Sequence, residues 1–415
     1  MMQFNNAFLK KLFSMSGASS LSLIIPILSM PLITRLCSIQ AVGTAELFVM
    51  TSALLAFFAS LQLEYAIIPT ENISEVERII NSSLLFTLIL SLVLFFLAIL
   101  FLIGTFYYRD LTIYALSSFL IPIFLIESTL FYLSTFWLLR HGQIKHLTIM
   151  KILFVAPVAI FKIIFALISP TFLSLWLAVI LGQLVVMIYI YRNANLPLSR
   201  TLMQLGWYDI AKKYKVYPLT NIPKSFFGMG KDYLLSFLIT SFCGTYFLGL
   251  YVMCLKILKT PIYALANPLQ LLFFQKTVEA NSSGHLPRVT NKLIIYLLLV
   301  TIPFFTTLYI FAPSIIVIAF GAKWYEAGDV LRAMIPYFFG TFFVIPFELA
   351  IMTKNIQAEA FKVSIMLDMA PILVFIYLLF NGNTFLFSLG CVMWIGFVGK
   401  VVYFIWLYRK IIKLI

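Results

Sequence analysis

The chain has 415 residues, of which 62% are hydrophobic and 11% charged. An ordinary soluble domain carries roughly 25% charged residues, so a soluble globule, a disordered chain and a large catalytic domain outside the membrane are excluded. Lys and Arg number 29 against 15 Asp and Glu. In so apolar a chain that excess orients membrane helices and does not point to nucleic acid.

A membrane-crossing helix needs about 20 apolar residues, and the hydrophobic share of the chain is enough for twelve. Lys10 and Lys11 precede the first run, Ser14–Leu36, which is too long for a signal peptide and is kept as span one. It is rich in serine and contains Pro26 and Pro31. Proline frees backbone groups that serine hydroxyls can satisfy, so this helix is either a bendable gate or a static kink. Apolar runs follow at Glu46–Ile68, Ile80–Leu102, Leu111–Trp137, Leu147–Leu167 and Phe172–Tyr191. After a basic linker they resume at Tyr217–Phe242, Leu248–Phe274, Leu293–Pro313, Val330–Ile351, Phe361–Phe380 and Thr384–Leu407. The runs are continuous rather than alternating, which predicts helices and not a β-barrel. The expected fold is an all-α polytopic membrane protein of 12 transmembrane helices. Residues 1–192 would form an N-lobe, 193–216 a cytoplasmic linker and 217–415 a C-lobe.

Orientation follows from the loops. With the N-terminus inside, nineteen basic residues fall on the cytoplasmic side and four, Arg35, Arg109, Lys323 and Arg332, on the other. Both termini are then cytoplasmic. An internal repeat supports the six-plus-six division. Leu32-Ile-Thr-Arg-Leu-Cys37 recurs as Leu238-Ile-Thr-Ser-Phe-Cys243, and Leu47-Phe-Val-Met50 as Leu250-Tyr-Val-Met253. The offsets are 206 and 203 positions, read as a loop three residues shorter in the second copy. Two parallel six-helix repeats are an arrangement of alternating-access transporters.

Charge inside a span is costly and marks function by default. The intramembrane bases are Lys162, Lys224, Lys231, Lys256, Lys259 and Lys400. Asn221, Lys224, Gly228 and Lys231 follow 3-4-3 spacing and share one face of span seven. Lys256 and Lys259 add two charges to span eight. Such a stripe, with Arg35 near the end of span one, suits an anionic headgroup such as a diphosphate. The alternative is that these lysines snorkel to an interface or pair with an acid. The intramembrane acids are Glu127, Glu348 and Asp368, with Glu64 near a span end. Each could hold a coupling Na⁺ or H⁺ or serve as a structural partner for a lysine.

Other signals carry little. Cys37, Cys243, Cys254 and Cys391 have no metal spacing and read as small apolar residues. Gly228-Met-Gly-Lys231 lacks the rest of a phosphate loop. Asn72-Ile-Ser74, Asn81-Ser-Ser83 and Asn281-Ser-Ser283 match a glycosylation triplet but fall on the cytoplasmic side. The three histidines lack ligand spacing, and no Ser/His/Asp or zinc constellation can be assembled. No metal, cofactor or enzymatic activity is expected.

Three stretches carry a family resemblance. Pro31-Leu-Ile-Thr-Arg-Leu36, followed by Gly43 and Glu64-Tyr-Ala-Ile67, resembles the opening of bacterial polysaccharide flippases, with Cys37–Val42 in place of a more usual acidic loop. Gly249-Leu-Tyr-Val252 with Lys256 and Pro261 resembles their glycine-leucine-tyrosine helix. Phe320-Gly-Ala-Lys-Trp-Tyr-Glu-Ala-Gly328 resembles their second-half signature. The family is the Wzx-like O-antigen and polysaccharide flippases of the multidrug/oligosaccharidyl-lipid/polysaccharide exporter superfamily. The resemblance implies transfer of undecaprenyl-diphosphate-linked sugar units from the cytoplasmic to the periplasmic leaflet of the bacterial inner membrane. It also implies a two-lobed, V-shaped bundle with a cationic lumen. Other polysaccharide assembly proteins would be its partners.

Three alternatives have discriminators. A polysaccharide polymerase or ligase usually carries a large periplasmic loop, and the longest loop here is cytoplasmic. A drug/cation antiporter of the same superfamily is disfavoured by a cationic cavity, because like charges repel in a low dielectric. A lipid II flippase usually has two more spans.

Overall fold

The computed structural model describes residues 25–105, 111–198, 207–281, 286–354 and 356–412. No strand occurs among the described residues. Among the described residues, ten helices are long and apolar enough to cross a membrane. The protein is an all-α, multi-pass membrane protein. By its contacts the chain falls into two compact units, 1–233 and 234–415.

The first unit contains α1 (Ile25–Leu36), α2 (Ile39–Ala59), α3 (Ile73–Gly104), α4 (Thr112–Ser118) and α5 (Leu120–Arg140). It continues with α6 (Ile144–Ile168), α7 (Phe172–Asn193), the short α8 (Trp207–Lys213) and the first part of α9 (Val216–Cys243). Helices begin where a polar side chain can satisfy an open N–H group. Ser38 Oγ accepts from Ala41 N at 3.1 Å to start α2. Asn72 Oδ1 accepts from Ser74 N at 3.0 Å to start α3, so this glycosylation-like triplet is a helix cap. Between α2 and α3 the chain bends through Leu61 and Gln62, both left-handed (φ 52° and 57°), into a 3₁₀ turn at Leu63–Ala66.

The helices of this unit form an inner and an outer set. In the apolar stretches of α2, α4–α5 and α7, 39, 44 and 50% of residues are buried. In α3 and α6 the shares are 17 and 11%. The outer helices therefore present apolar side chains such as Leu92, Phe96 and Leu100 outward, as a lipid-facing surface does. Since lipid gives helices no hydrophobic drive to associate, contact depends on close packing. Gly182 of α7 supplies it: a Cβ there would stand 2.6 Å from Val158 Cα of α6. Phe48 of α2 stacks on Trp176 of α7 at 6.1 Å, and Trp176 meets Phe124 of α5 at 5.6 Å.

The described part of the linker packs on this unit. Ile210 of α8 is buried in a cluster with Leu63, Ile67, Ile79, Ile80 and Leu133. Trp207 meets Phe86 edge-on at 5.7 Å. Trp137 Nε1 donates to Ala194 O at 2.9 Å.

The second unit contains the rest of α9, then α10 (Thr245–Asn281), α11 (Leu286–Phe320), α12 (Tyr325–Glu348), α13 (Gln357–Phe380) and α14 (Phe385–Ile412). The same division recurs. The apolar stretches of α10, α12 and α14 are 56, 56 and 44% buried, those of α11 and α13 17% each. Inner and outer helices thus occupy corresponding places in the two halves, which supports the internal repeat. One detail of the repeat is corrected. In both copies the next helix begins two residues after the cysteine, at Ile39 and Thr245. The three-residue difference therefore lies in the first turns of α2 and α10 and not in a loop. Gly244 (φ 91°) ends α9, its N–H donating to Ile239 O and Thr240 O at 3.1 and 3.0 Å. A left-handed residue closing a helix favours glycine.

Candidate functional site

The candidate site begins with α9. Of the described helices of at least 18 residues, it alone is not apolar enough to count among the ten spans. It is nonetheless 28 residues long. Its polarity comes from Asn221, Lys224, Lys231 and Asp232, and Pro223 sits inside it. Lys231 is partly buried. The Lys224 side chain lies outside the described residues. In the second unit Lys256 and Lys259 are partly buried on α10, five and two residues before Pro261. None of Lys231, Lys256 and Lys259 is an isolated charge.

Two of the predicted lysines are held in ion pairs. Lys162 Nζ of α6 lies 3.1 Å from Glu46 Oε1 of α2, with the side chains 16 and 8% exposed. Lys400 Nζ of α14 lies 3.0 Å from Asp368 Oδ1 of α13, at 11 and 15% exposure. Asp368 Oδ2 also accepts from Ser364 Oγ at 3.2 Å, and Lys400 stands 5.7 Å over the Tyr337 ring of α12. Room for it comes from Gly340, where a Cβ would stand 2.9 Å from Lys400 Cβ. Glu348, partly buried at the end of α12, and Asp368 both act electrostatically on Tyr403 of α14. Lys400, Asp368, Glu348, Tyr403 and Tyr337 therefore form one polar nest inside the second unit.

Sequence reasoning misses Glu46 because the apolar run opens on it. The helix starts at Ile39, capped by Ser38, which places Glu46 seven residues inside, about 10 Å along the axis. The polar cap Ser38, directly after Cys37, is the signal that could have found it.

The remaining acids differ from one another. Glu64 is 4% exposed in the 3₁₀ turn and acts electrostatically on Tyr65 and Tyr132. Glu127 is 3% exposed in α5, and neither carboxyl oxygen has a hydrogen-bond partner among the described residues. Arg140 is a second residue the sequence does not single out. Its guanidinium donates to the carbonyls of Ile67, Thr70 and Glu71, with Nη1 2.6 Å from Ile67 O and Nη2 2.9 Å from Glu71 O. It clamps the bend that carries Glu64.

In α1, Pro26 and Pro31 are partly buried and Arg35 is exposed. Ser29 Oγ donates to Pro26 O at 2.8 Å, and Thr34 Oγ1 to Met30 O and Pro31 O at 2.8 and 3.2 Å. Hydroxyls thus occupy carbonyls within the proline turns. Ser14, Ser16, Ser19, Ser20 and Ser22 lie outside the described residues.

No curated protein is significantly similar in sequence. Solved structures share the fold. An inward-facing multidrug resistance MATE family transporter of the MOP superfamily aligns with a TM-score of 0.68 at 14% identity, over 95% of each chain. The lipid II flippase MurJ in an inward closed conformation gives 0.69 at 14% identity, over 95% of this chain and 86% of MurJ. A MOP superfamily transporter from Pyrococcus furiosus, described as having a binding pocket of reversed polarity, gives 0.59 at 14% identity, over 98 and 96%. Residues 32–329 match the family model described as polysaccharide biosynthesis protein. That match spans most of the chain, and with it the protein belongs to the polysaccharide biosynthesis protein family.

Proposed function

We propose that the protein is a flippase that carries an undecaprenyl-diphosphate-linked oligosaccharide, an O-antigen or related repeat unit, across the bacterial inner membrane. Transfer runs from the cytoplasmic to the periplasmic leaflet by alternating access. Family membership and the MOP-superfamily fold support a transporter of the polysaccharide pathway. The observation that carries the reading is α9, a 28-residue helix too polar for lipid on all sides. A helix of that length and polarity in a membrane protein belongs beside water or a charged cargo. Its lysines are groups that would neutralise a diphosphate while the lipid tail stays in the bilayer, and in the second unit Lys256 and Lys259 of α10 are further candidates for that role. Twelve spans, lobes joined through 193–216 and cytoplasmic termini complete the proposal. The basic set argues against cationic drugs as cargo.

The test pairs a gene deletion with a variant. Deletion stops labelled lipid-linked oligosaccharide from reaching the outer leaflet in a strain without a redundant flippase. Normal delivery sinks the proposal. Lys224→Ala with Lys231→Ala lowers surface polysaccharide at an unchanged protein level. Normal surface polysaccharide in that variant removes these lysines from the mechanism.

A further inference from the structure

Helix α11 leaves one flank open. It packs far more extensively on α12 than on its chain neighbour α10. Gly328 of α12 lets the two close in, since a Cβ there would stand 2.6 Å from Pro313 Cα of α11. Phe305 of α11 meets Phe339 and Phe342 of α12 edge-on at 5.7 and 6.4 Å. Between α10 and α11 a groove of about 500 Å³ remains. Leu269 and Leu272 of α10 and Leu293 of α11 give it apolar walls, and Arg288, Lys292 and Tyr296 complete it.

The charges of this groove are unbalanced. Arg288, Lys292 and Tyr296 recur every four residues and so share one face of α11. Lys292 Nζ stands 5.9 Å over the Tyr296 ring. Lys213 and Lys410, near other helix ends, are paired with Glu75 and Glu359. Among the described residues no acid pairs with Arg288 or Lys292, and none lines the groove. Two positive charges at the edge of an apolar groove complement an amphipathic anion.

The order of groups along α11 is that of a phospholipid. Arg288 stands near the start of the helix, with Lys292 and Tyr296 about 6 and 12 Å further along the axis. Past them Leu299, Val300 and Ile302 are exposed, as on a lipid-facing helix. Bases at the membrane edge, an aromatic ring at the interface and apolar surface beyond match phosphate, glycerol and acyl chain. The Arg fork can take two phosphate oxygens while Lys adds a point charge, and the long stems let both heads reach the edge. Bulk lipid surrounds an outer helix such as α11, so the occupant is a resident phospholipid and not a scarce carried one.

We propose that the groove between α10 and α11 binds an anionic phospholipid of the phosphatidylglycerol type. Arg288 and Lys292 hold its phosphate, and an acyl chain lies along Leu269, Leu272 and Leu293. The site is independent of the cargo that the protein carries. Only its placement in the cytoplasmic leaflet rests on the proposed orientation of the termini.

The experiment places the full-length protein in phosphatidylcholine nanodiscs containing phosphatidylglycerol with a photoreactive acyl chain. Cross-linked peptides are mapped by mass spectrometry, and affinity is read from native mass spectra in detergent. Cross-links at residues 269–273 and 293–296 are the expected result. Arg288→Gln with Lys292→Gln weakens phosphatidylglycerol binding about 25-fold, about fivefold per charge, and leaves phosphatidylcholine binding unchanged. Leu272→Trp fills the groove, keeps both charges and removes the cross-links. Lys145→Gln with Arg192→Gln, two exposed bases of the first unit, leaves them intact. Equal labelling by photoreactive phosphatidylcholine, or an equal loss in the first-unit control, overturns the site. Displacement by inorganic phosphate, with Leu272→Trp binding as wild type does, leaves a bare anion site and overturns the lipid. Displacement by equimolar undecaprenyl-diphosphate-linked sugar assigns the groove to that lipid and overturns the phospholipid. Absence of cross-links in the groove also overturns it, and a dimer in the native spectra would then name a second copy as the occupant.

Discussion

Asp368→Asn tests whether the second unit is built around a charge pair. Lys400 and Asp368 stand 3.0 Å apart with side chains 11 and 15% exposed, so water screens them little. At an effective dielectric of about 20, unit charges at that distance attract by about 5.5 kcal/mol. Much of this is offset by the cost of burying each ion. Removing one partner leaves the other ion buried and uncompensated, which typically costs about 3–5 kcal/mol. Asp368→Asn and Lys400→Met should therefore each lower unfolding free energy by about 3 kcal/mol. The double variant removes both charges and should lose no more than either single one. Thermal or denaturant unfolding in detergent, run as a double-mutant cycle, gives the coupling directly. Single costs that add to within about 0.5 kcal/mol in the double variant would refute the pair as a coupled unit.

Gly182→Ala should destabilise by about 1–3 kcal/mol through overpacking against the Val158 backbone, read as a fall in Tm. Gly390→Ala, where a Cβ meets nothing within 4 Å, is the neutral control. Arg140→Ala should lower stability by about 2 kcal/mol and open the Leu61–Glu71 segment to proteolysis. Arg140→Lys should fail to restore it, because a point charge cannot fork across several carbonyls. An unchanged digestion pattern would deny Arg140 its clamping part. The Lys224/Lys231 double substitution carries the functional prediction given above.

The helices were legible because hydrocarbon thickness and backbone satisfaction leave few choices for long apolar runs. Their starts were less so. The α2 and α3 helices begin at Ile39 and Ile73, each seven residues before its apolar run, because the caps Ser38 and Asn72 are polar. That shift hid Glu46. The pairings could not be read at all. Glu46 and Lys162 lie 116 residues apart, Asp368 and Lys400 32 apart, and nothing local links them. Glu127 was legible as a costly acid. Its lack of a hydrogen-bond partner among the described residues appears only once the helices are packed. The polarity of α9 was visible directly as the 3-4-3 spacing from Asn221 to Lys231.

Flipping in proteoliposomes tests the proposed activity without intervening steps. Purified protein is reconstituted with a fluorescent undecaprenyl-diphosphate-linked oligosaccharide, and access of the sugar to a membrane-impermeant enzyme is followed on both leaflets. A flippase gives transfer well above protein-free liposomes, and the Lys224/Lys231 double variant loses it. Transfer no faster than in empty liposomes, from a protein shown to be folded, would contradict it.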